Sequence, residues 1–355
     1  MKRVILCADG TWNEPESKSN ESGRPQPTNV LKVARAVLPA SSTGIVQVVY
    51  YHEGVGTLGN LDKWTGGAFG RGMEKNVRSL YRFLVYNYEP GDEIYLFGFS
   101  RGAFTVRTLV GFMNDVGLLQ KEDEYFTPEL YNLYQSSTPT GSEEWKHAFR
   151  KIKNPRPCPL IHFVGVWDTV GALGPPGALG QLLNRNKFKY HDIQLHPTVL
   201  HAYHALAIDE RRKPFAPSLW TQPTDWTGTL EQVWFAGVHS NIGGGYHPDG
   251  LANEALHWMV EKAEDLGLEF DKPFLAHYRP CFNSPLQDSM SQVYRLMGPN
   301  VRAIGTCDEG IHQSVFDRVN LSTCKYDPPN LRAYMAGRDN KNAINTKRIH
   351  RGTAC

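Results

Sequence analysis

The sequence predicts an α/β fold, a three-layer αβα sandwich around a mainly parallel central sheet. Three observations predict it. Short apolar runs at residues 3–8, 45–51, 94–97, 160–167 and 231–238 are bounded by turn residues and read as buried strands. Between them lie stretches with apolar residues at helical spacing, clearest in Val77, Leu80, Tyr81, Leu84, Val85 and Tyr88. The two kinds alternate, which is the order of a sheet wound with crossover helices. The 355 residues read as one domain, 1–355, in which about 117–159 and 174–200 are insertions able to cap a site.

Residues 3–8 are the first strand, expected at the centre of the sheet, and they end in Asp9-Gly10-Thr11-Trp12-Asn13. Loops at the carboxyl ends of parallel strands are where such sheets bind ligands, so Asp9 and Asn13 are assigned to a substrate-site loop. Residues 14–27 carry three prolines and read as a loop. Thr28 or Asn29 can cap a helix through Val37. Residues 45–51 are a second buried strand. The cluster Gly66-Gly67-Ala68-Phe69-Gly70-Arg71-Gly72 reads as a site-facing loop before a helix, without the Gly-Lys-Ser/Thr ending of a phosphate-binding loop. Pro90-Gly91-Asp92 turns the chain into the strand at 94–97, and a helix from Ala103 to about Val116 follows. Phe126, Leu130, Tyr131, Leu133 and Tyr134 give 117–159 an aromatic helical face. His191, His196, His201 and His204 invite a metal reading, but no H-E-x-x-H is present. His201 and His204 fit a helix continuing through Asp209. After 231–238 come a glycine-rich loop, His239 to Tyr246, and an amphipathic helix at 251–266.

The stretch that carries chemistry is Gly98-Phe99-Ser100-Arg101-Gly102, between a strand and a helix. In that setting G-x-S-x-G is a nucleophile elbow, a sharp turn that stands the serine hydroxyl clear at the head of the helix. The N–H groups there and the positive end of the helix dipole favour a developing oxyanion. Outside that setting the same five residues are a tight turn with an exposed serine. Asp168 closes the strand at 160–167 and His239 the one at 231–238. The chain order Ser, Asp, His, each at a strand end, is that of α/β-hydrolases. An acid at such a place can also serve only to order a loop. Asp209, within Asp209-Glu210-Arg211-Arg212, is the reserve acid, although its arginines suggest a structural ion pair. On this reading His239 takes the proton of Ser100, Ser100 attacks an ester carbonyl and Asp168 holds the imidazole. The N–H of Arg101 and the turn at Gly10 and Thr11 supply the oxyanion donors.

Taken together, Asp9-Gly10-Thr11-Trp12-Asn13, Gly98 to Ala103, Trp167-Asp168-Thr169-Val170-Gly171, Asp209-Glu210-Arg211-Arg212 and Gly237-Val238-His239-Ser240 with Gly243-Gly244-Gly245-Tyr246 resemble the DUF2235 family. That family is described as an α/β-hydrolase domain and includes the catalytic domain of Tle1-like phospholipase effectors of type VI secretion. The resemblance runs from Asp9 to about Tyr326. It implies a serine lipase or esterase acting on carboxylic esters, with phospholipid acyl esters among them. The chain has Asn241 where the resemblance leads one to expect an aspartate.

A formal net charge of +2 points to no polyelectrolyte partner, so nucleic acid is not expected. The apolar run after Met1-Lys2-Arg3 is too short for a signal-peptide core, and no stretch has the length to span a bilayer. The expectation is a cytoplasmic protein, or one leaving by a signal-independent route, with only transient membrane contact. The six cysteines include no C-x-x-C pair and read as reduced thiols. No metal and no cofactor is expected. Two other readings stay open. One is a non-catalytic binding module on the same scaffold. The other is a phosphatase-type hydrolase using Asp9, in which the nucleophile position two residues earlier holds Cys7.

Overall fold

The computed structural model describes residues 1–10, 23, 26–54, 66–136, 138–170, 194–296, 298–307 and 309–337. Thr11, Asn13, His191 and most of 174–200 lie outside these. Seven strands form one sheet in the order β2-β1-β3-β4-β5-β6-β7, and every neighbouring pair is parallel. They are β1 Arg3–Ala8, β2 Gln47–His52, β3 Glu93–Phe99, β4 Ile161–Trp167, β5 His201–Ala207, β6 Thr229–Phe235 and β7 Gly310–Ile311. With helices on both faces, this is the α/β sandwich the sequence predicts.

Side chains alternate between the two faces of each strand. Val4, Leu6, Ile94, Leu96, Val164 and Val166 share a core with Leu80, Leu84, Val106 and Leu109 of α2 (Gly66–Asn87) and α3 (Arg101–Val116). Ile5, Cys7, Tyr95, Phe97 and Phe163 share the opposite core with Val30 and Val33 of α1 (Asn29–Ala36) and Leu256 and Met259 of the helix Gly250–Glu264. Burial on both sides is why these strands read as continuous apolar runs rather than alternating ones.

Some elements differ from the sequence reading. Residues 201–207 are strand β5, not helix, because β4 and β6 offer a ladder on each side. Pairing in the sheet overrides the helix propensity of the three alanines in this strand. β2 is an edge strand, and all of it but Gln47 is only half-buried. Its Tyr50 stacks on Phe83 of α2, with centroids 4.6 Å apart. Gly66 to Gly72 are the first turns of α2 rather than a loop before it. His239–Gly243 is a short helix, not a loop. In the 117–159 segment, Leu130, Tyr131 and Tyr134 join the α2–α3 core, and both tyrosine rings pack on Phe112. Cys7, Cys158, Cys307 and Cys324 are free thiols, whereas Cys281 is disulfide-bonded where a reduced thiol was expected. Among the described residues no helix is long and apolar enough to cross a membrane.

The winding direction reverses between β1 and β3, because β2 lies on one side of β1 and β3 on the other. In a parallel sheet that reversal opens a crevice at the carboxyl ends of the two strands. Asp9 and Gly10 leave β1 there, and Ser100 leaves β3 there. The two chain segments touch. A Cβ on Gly102 would collide with the Ala8 carbonyl oxygen and lie 2.6 Å from that of Asp9. A Cβ on Gly98 would lie 2.6 Å from Cα of Ala103. Both glycines of the motif are thus required by backbone approach. Gly102→Ala should lower unfolding stability by about 1–3 kcal/mol, the usual cost of overpacking. Denaturant unfolding measures it, and a change under about 0.5 kcal/mol would contradict the close approach.

Candidate active site

Ser100 links β3 to α3 with φ 57° and ψ −117°, in the positive-φ half that non-glycine residues rarely occupy. Such a conformation costs on the order of 1–3 kcal/mol and persists only where the surroundings enforce it. Here the enforcement is the packing of Gly98 and Gly102 and the Ser100 N–H, which donates to the Trp167 carbonyl of β4 at 3.0 Å. Arg101 is the first residue of α3, where N–H groups have no carbonyl one turn back to bond. The Ser100 side chain is turned to His239.

His239 follows β6 and opens the helix His239–Gly243. Its Nδ1 lies 2.6 Å from Asp168 Oδ2 and its Nε2 lies 2.8 Å from Ser100 Oγ. A carboxylate facing Nδ1 places the ring proton there, which leaves Nε2 to accept the Ser100 hydroxyl. The ring packs against Phe99, centroid distance 4.7 Å, and nearly at right angles to Phe215, 5.0 Å away. Burial pushes the imidazole below its ordinary value. The hydrogen bond and charge of Asp168 oppose this without overcoming it, and Arg212 adds to the lowering while Glu210 opposes it.

Asp168 is fully buried after β4 and has φ 40°. Its Oδ1 accepts from the Ala207 N–H at 3.0 Å and from Arg302 Nη1 at 2.6 Å. Its Oδ2 accepts from His239 and from Arg302 Nη2 at 3.0 Å. Burial alone would raise the carboxyl; the Arg302 guanidinium and then the His239 hydrogen bond outweigh it and hold Asp168 well below the usual carboxylate range. A buried pair of this kind is costly to break, about 3–5 kcal/mol when one partner is removed. His204, on β5, supports the same turn. Its Nε2 accepts the Thr169 N–H at 3.1 Å, and burial, then Arg107, pushes it down to about 3, so it stays neutral.

The other expected residues fall as follows. Asp9 is buried. Its Oδ2 accepts from Thr28 at 2.5 Å and Tyr51 at 2.8 Å, and its Oδ1 accepts the Gly10 N–H at 2.7 Å. The Gly10 N–H expected to face an oxyanion is thus engaged by Asp9 in this structure. Thr28, which also caps α1 through the Leu31 N–H, pairs with Gly244 beyond His239. Cys7 is buried in the apolar core and burial raises its thiol, so it is no nucleophile. Asp209, the reserve acid, accepts from the Gly237 N–H at 2.7 Å and the Tyr326 hydroxyl at 2.8 Å, not from His239. The ion pair of that motif belongs to Glu210 and Arg212 at 2.8 Å, and Glu210 also accepts the His239 N–H at 3.2 Å. Asn241 Oδ1 accepts the Val238 N–H at 3.2 Å and so holds the turn that carries His239. Among the described residues no group of three or more His, Cys, Asp or Glu could hold a metal. Sequence reasoning missed Arg302, Phe215 and the role of Glu210. Only Glu210 stood in a recognisable motif.

Residues 2–262 match the family described as the catalytic domain of Tle1-like phospholipase effectors of type VI secretion. An uncharacterized protein of Saccharomyces cerevisiae is 32% identical over 240 residues, 60% of this chain and 32% of that protein. A crystal structure of an uncharacterized protein from Pseudomonas aeruginosa aligns with a TM-score of 0.50 at 18% identity, covering 79% of this chain and 49% of that one. The chain therefore spans about a third of the yeast protein and half of the Pseudomonas one. A structure of the Tle1 effector bound to the VgrG spike of the type 6 secretion system aligns with a TM-score of 0.35 at 19% identity, covering 70% of this chain and 52% of that one.

The electrostatics of His239 can be read without any substrate. Its imidazole resonance, followed by NMR, should titrate with a midpoint below the ordinary ~6.5 of histidine. A midpoint above about 7 would contradict the balance of burial over Asp168.

Proposed function

The chain belongs to the family of Tle1-like phospholipase effector catalytic domains, and from that premise we propose that it is a serine hydrolase of carboxylic esters whose substrate class is the acyl ester of a phospholipid. The observation that carries the reading is the unbroken hydrogen-bonded row from Ser100 Oγ through His239 to Asp168, at 2.8 and 2.6 Å. Its serine lies at the reversal point of the sheet, in a strained turn at a helix head.

The geometry supports the following mechanism. His239, neutral with its proton on Nδ1, takes the proton of Ser100 as Oγ attacks the acyl carbonyl. The carbonyl oxygen becomes an anion beside the Arg101 N–H and the positive end of α3. The second donor is the Gly10 N–H, which Asp9 Oδ1 holds at 2.7 Å before substrate binds and yields to the oxyanion. The charged imidazole, steadied by the ionised Asp168, returns its proton to the departing alcohol and leaves the acyl group on Ser100. His239 then deprotonates a water, which releases the acid and restores the serine.

Since His239 must be neutral to act as base, hydrolysis of a short p-nitrophenyl ester should rise with pH through a midpoint below ~6.5 and then level off. Ser100→Ala should lower kcat by about 10⁴-fold or more in a protein that stays folded. Asp168→Asn should cost about 10³–10⁴-fold. Asp209→Asn, which leaves His239 its partner, should stay within about tenfold of the starting enzyme at equal stability. Ser100→Ala activity within about tenfold would remove the serine from the reaction, and Asp209→Asn hurting more than Asp168→Asn would reassign the acid.

A further inference from the structure

The carboxylate behind His239 is held by a group that no motif announces. Arg302 has a side chain 1% exposed and makes a two-pronged pair with Asp168, Nη1 to Oδ1 at 2.6 Å and Nη2 to Oδ2 at 3.0 Å. The same two nitrogens donate to the carbonyls of Ala207, at 2.8 Å, and Phe215, at 2.5 Å. Asp168 follows β4, Ala207 ends β5, and the Phe215 ring packs against His239. One planar fork thus fixes the acid, the strand beside it and one wall of the imidazole. Arg302 itself lies beyond residues 2–262, the stretch that matches the family.

From this geometry we infer that Arg302 is a positioning residue of the hydrolytic site: it locks the orientation of the Asp168 carboxylate and offsets the negative charge that His239 meets across the 2.6 Å contact. The inference rests on the serine-hydrolase reading of Ser100 and His239. A guanidinium suits the task because its donors match both carboxylate oxygens at once and its charge is permanent. An ionised aspartate with no such counter-charge would draw a proton onto His239 more strongly, and a base that is already protonated cannot accept the serine proton. Among the described residues the other charged groups acting on His239 are Glu210 and Arg212, which pair with each other. Behind Asp168 stand the neutral His204 and, acting on it, Arg107. Arg302 is therefore the charge whose removal leaves Asp168 uncompensated.

The test compares the full chain with Arg302→Met and Arg302→Lys variants, reading ester hydrolysis against pH and the His239 NMR titration in parallel. In Arg302→Met the titration midpoint should move up by about 1 pH unit or more, as expected for an unshielded neighbouring carboxylate. Its kcat/KM at pH 7 should fall by about 100-fold or more while KM changes little. Arg302→Lys should bring the midpoint back to within about 0.3 pH units of the starting protein but recover the rate only in part, since lysine restores charge without the fork. A residue that only stabilised the fold would lower the melting temperature and leave the midpoint in place. An unmoved midpoint with a rate within about twofold, in either variant, overturns the inference. If Arg302→Met does not fold, Arg302→Lys decides alone: a rate within about twofold with an unchanged profile overturns the positioning role, and an unchanged midpoint with a rate lower than that, in a protein fully folded at the assay temperature, supports it. Absence of hydrolysis by the unmodified chain would reject the serine-hydrolase reading instead, and the NMR midpoints would still report on Arg302.

Discussion

A fully buried carboxylate needs answering charges and donors, and Asp168 has four of them converging from three directions. Left alone at that depth it would take up a proton and lose its hold on His239. With Arg302, the Ala207 N–H and His239 arranged around it, it stays ionised. The arrangement couples distant parts of the chain. β4 supplies the acid, β5 an N–H and a carbonyl, the turn after β6 the imidazole, and the segment before β7 the guanidinium. The head of the sheet is thus one electrostatic unit rather than a set of separate loops, and a change to any member alters the charge the others meet.

The second constraint is steric. The sheet reverses direction between β1 and β3, and both strands deliver their carboxyl ends to the same crevice. For the Ser100 turn to fit against the Ala8 and Asp9 carbonyls there is no room for a side chain on Gly102, and none on Gly98 against α3. The positive φ of Ser100 follows from that crowding. Asp9 then ties the end of β1 to Thr28 and Tyr51, and Thr28 meets Gly244 just past His239. Charge fixes Asp168 and His239, close packing fixes Ser100, and the Ser100–His239 hydrogen bond is where the two constraints meet.

The parts of this site that are legible in the sequence are those whose chemistry sits in a local pattern. Ser100 lies in a motif between strand and helix, and Asp168 and His239 each follow a strong apolar run. The parallel sheet was legible for the same reason. β5 was not, because Ala202-Tyr203-His204-Ala205-Leu206-Ala207 suits a helix as well as a strand, and only its neighbours in the sheet decide. The glycines at 66–72 misled in the opposite direction, reading as a loop where α2 begins. Arg302 was invisible. It stands 134 positions from Asp168 in a stretch without periodicity, and nothing in one sequence distinguishes a buried arginine from a solvated one. Long-range ion pairs are written in the fold, not in the local pattern.

The central claim is that Ser100 is an activated nucleophile in the folded protein. A fluorophosphonate probe tests it most directly, because such a reagent needs both an activated serine and a place for the developing oxyanion. Peptide mass spectrometry after labelling should find one adduct, on Ser100, that is lost when the protein is unfolded in urea before exposure. No adduct in the folded protein, or an adduct on another residue with Ser100 intact, would contradict the account.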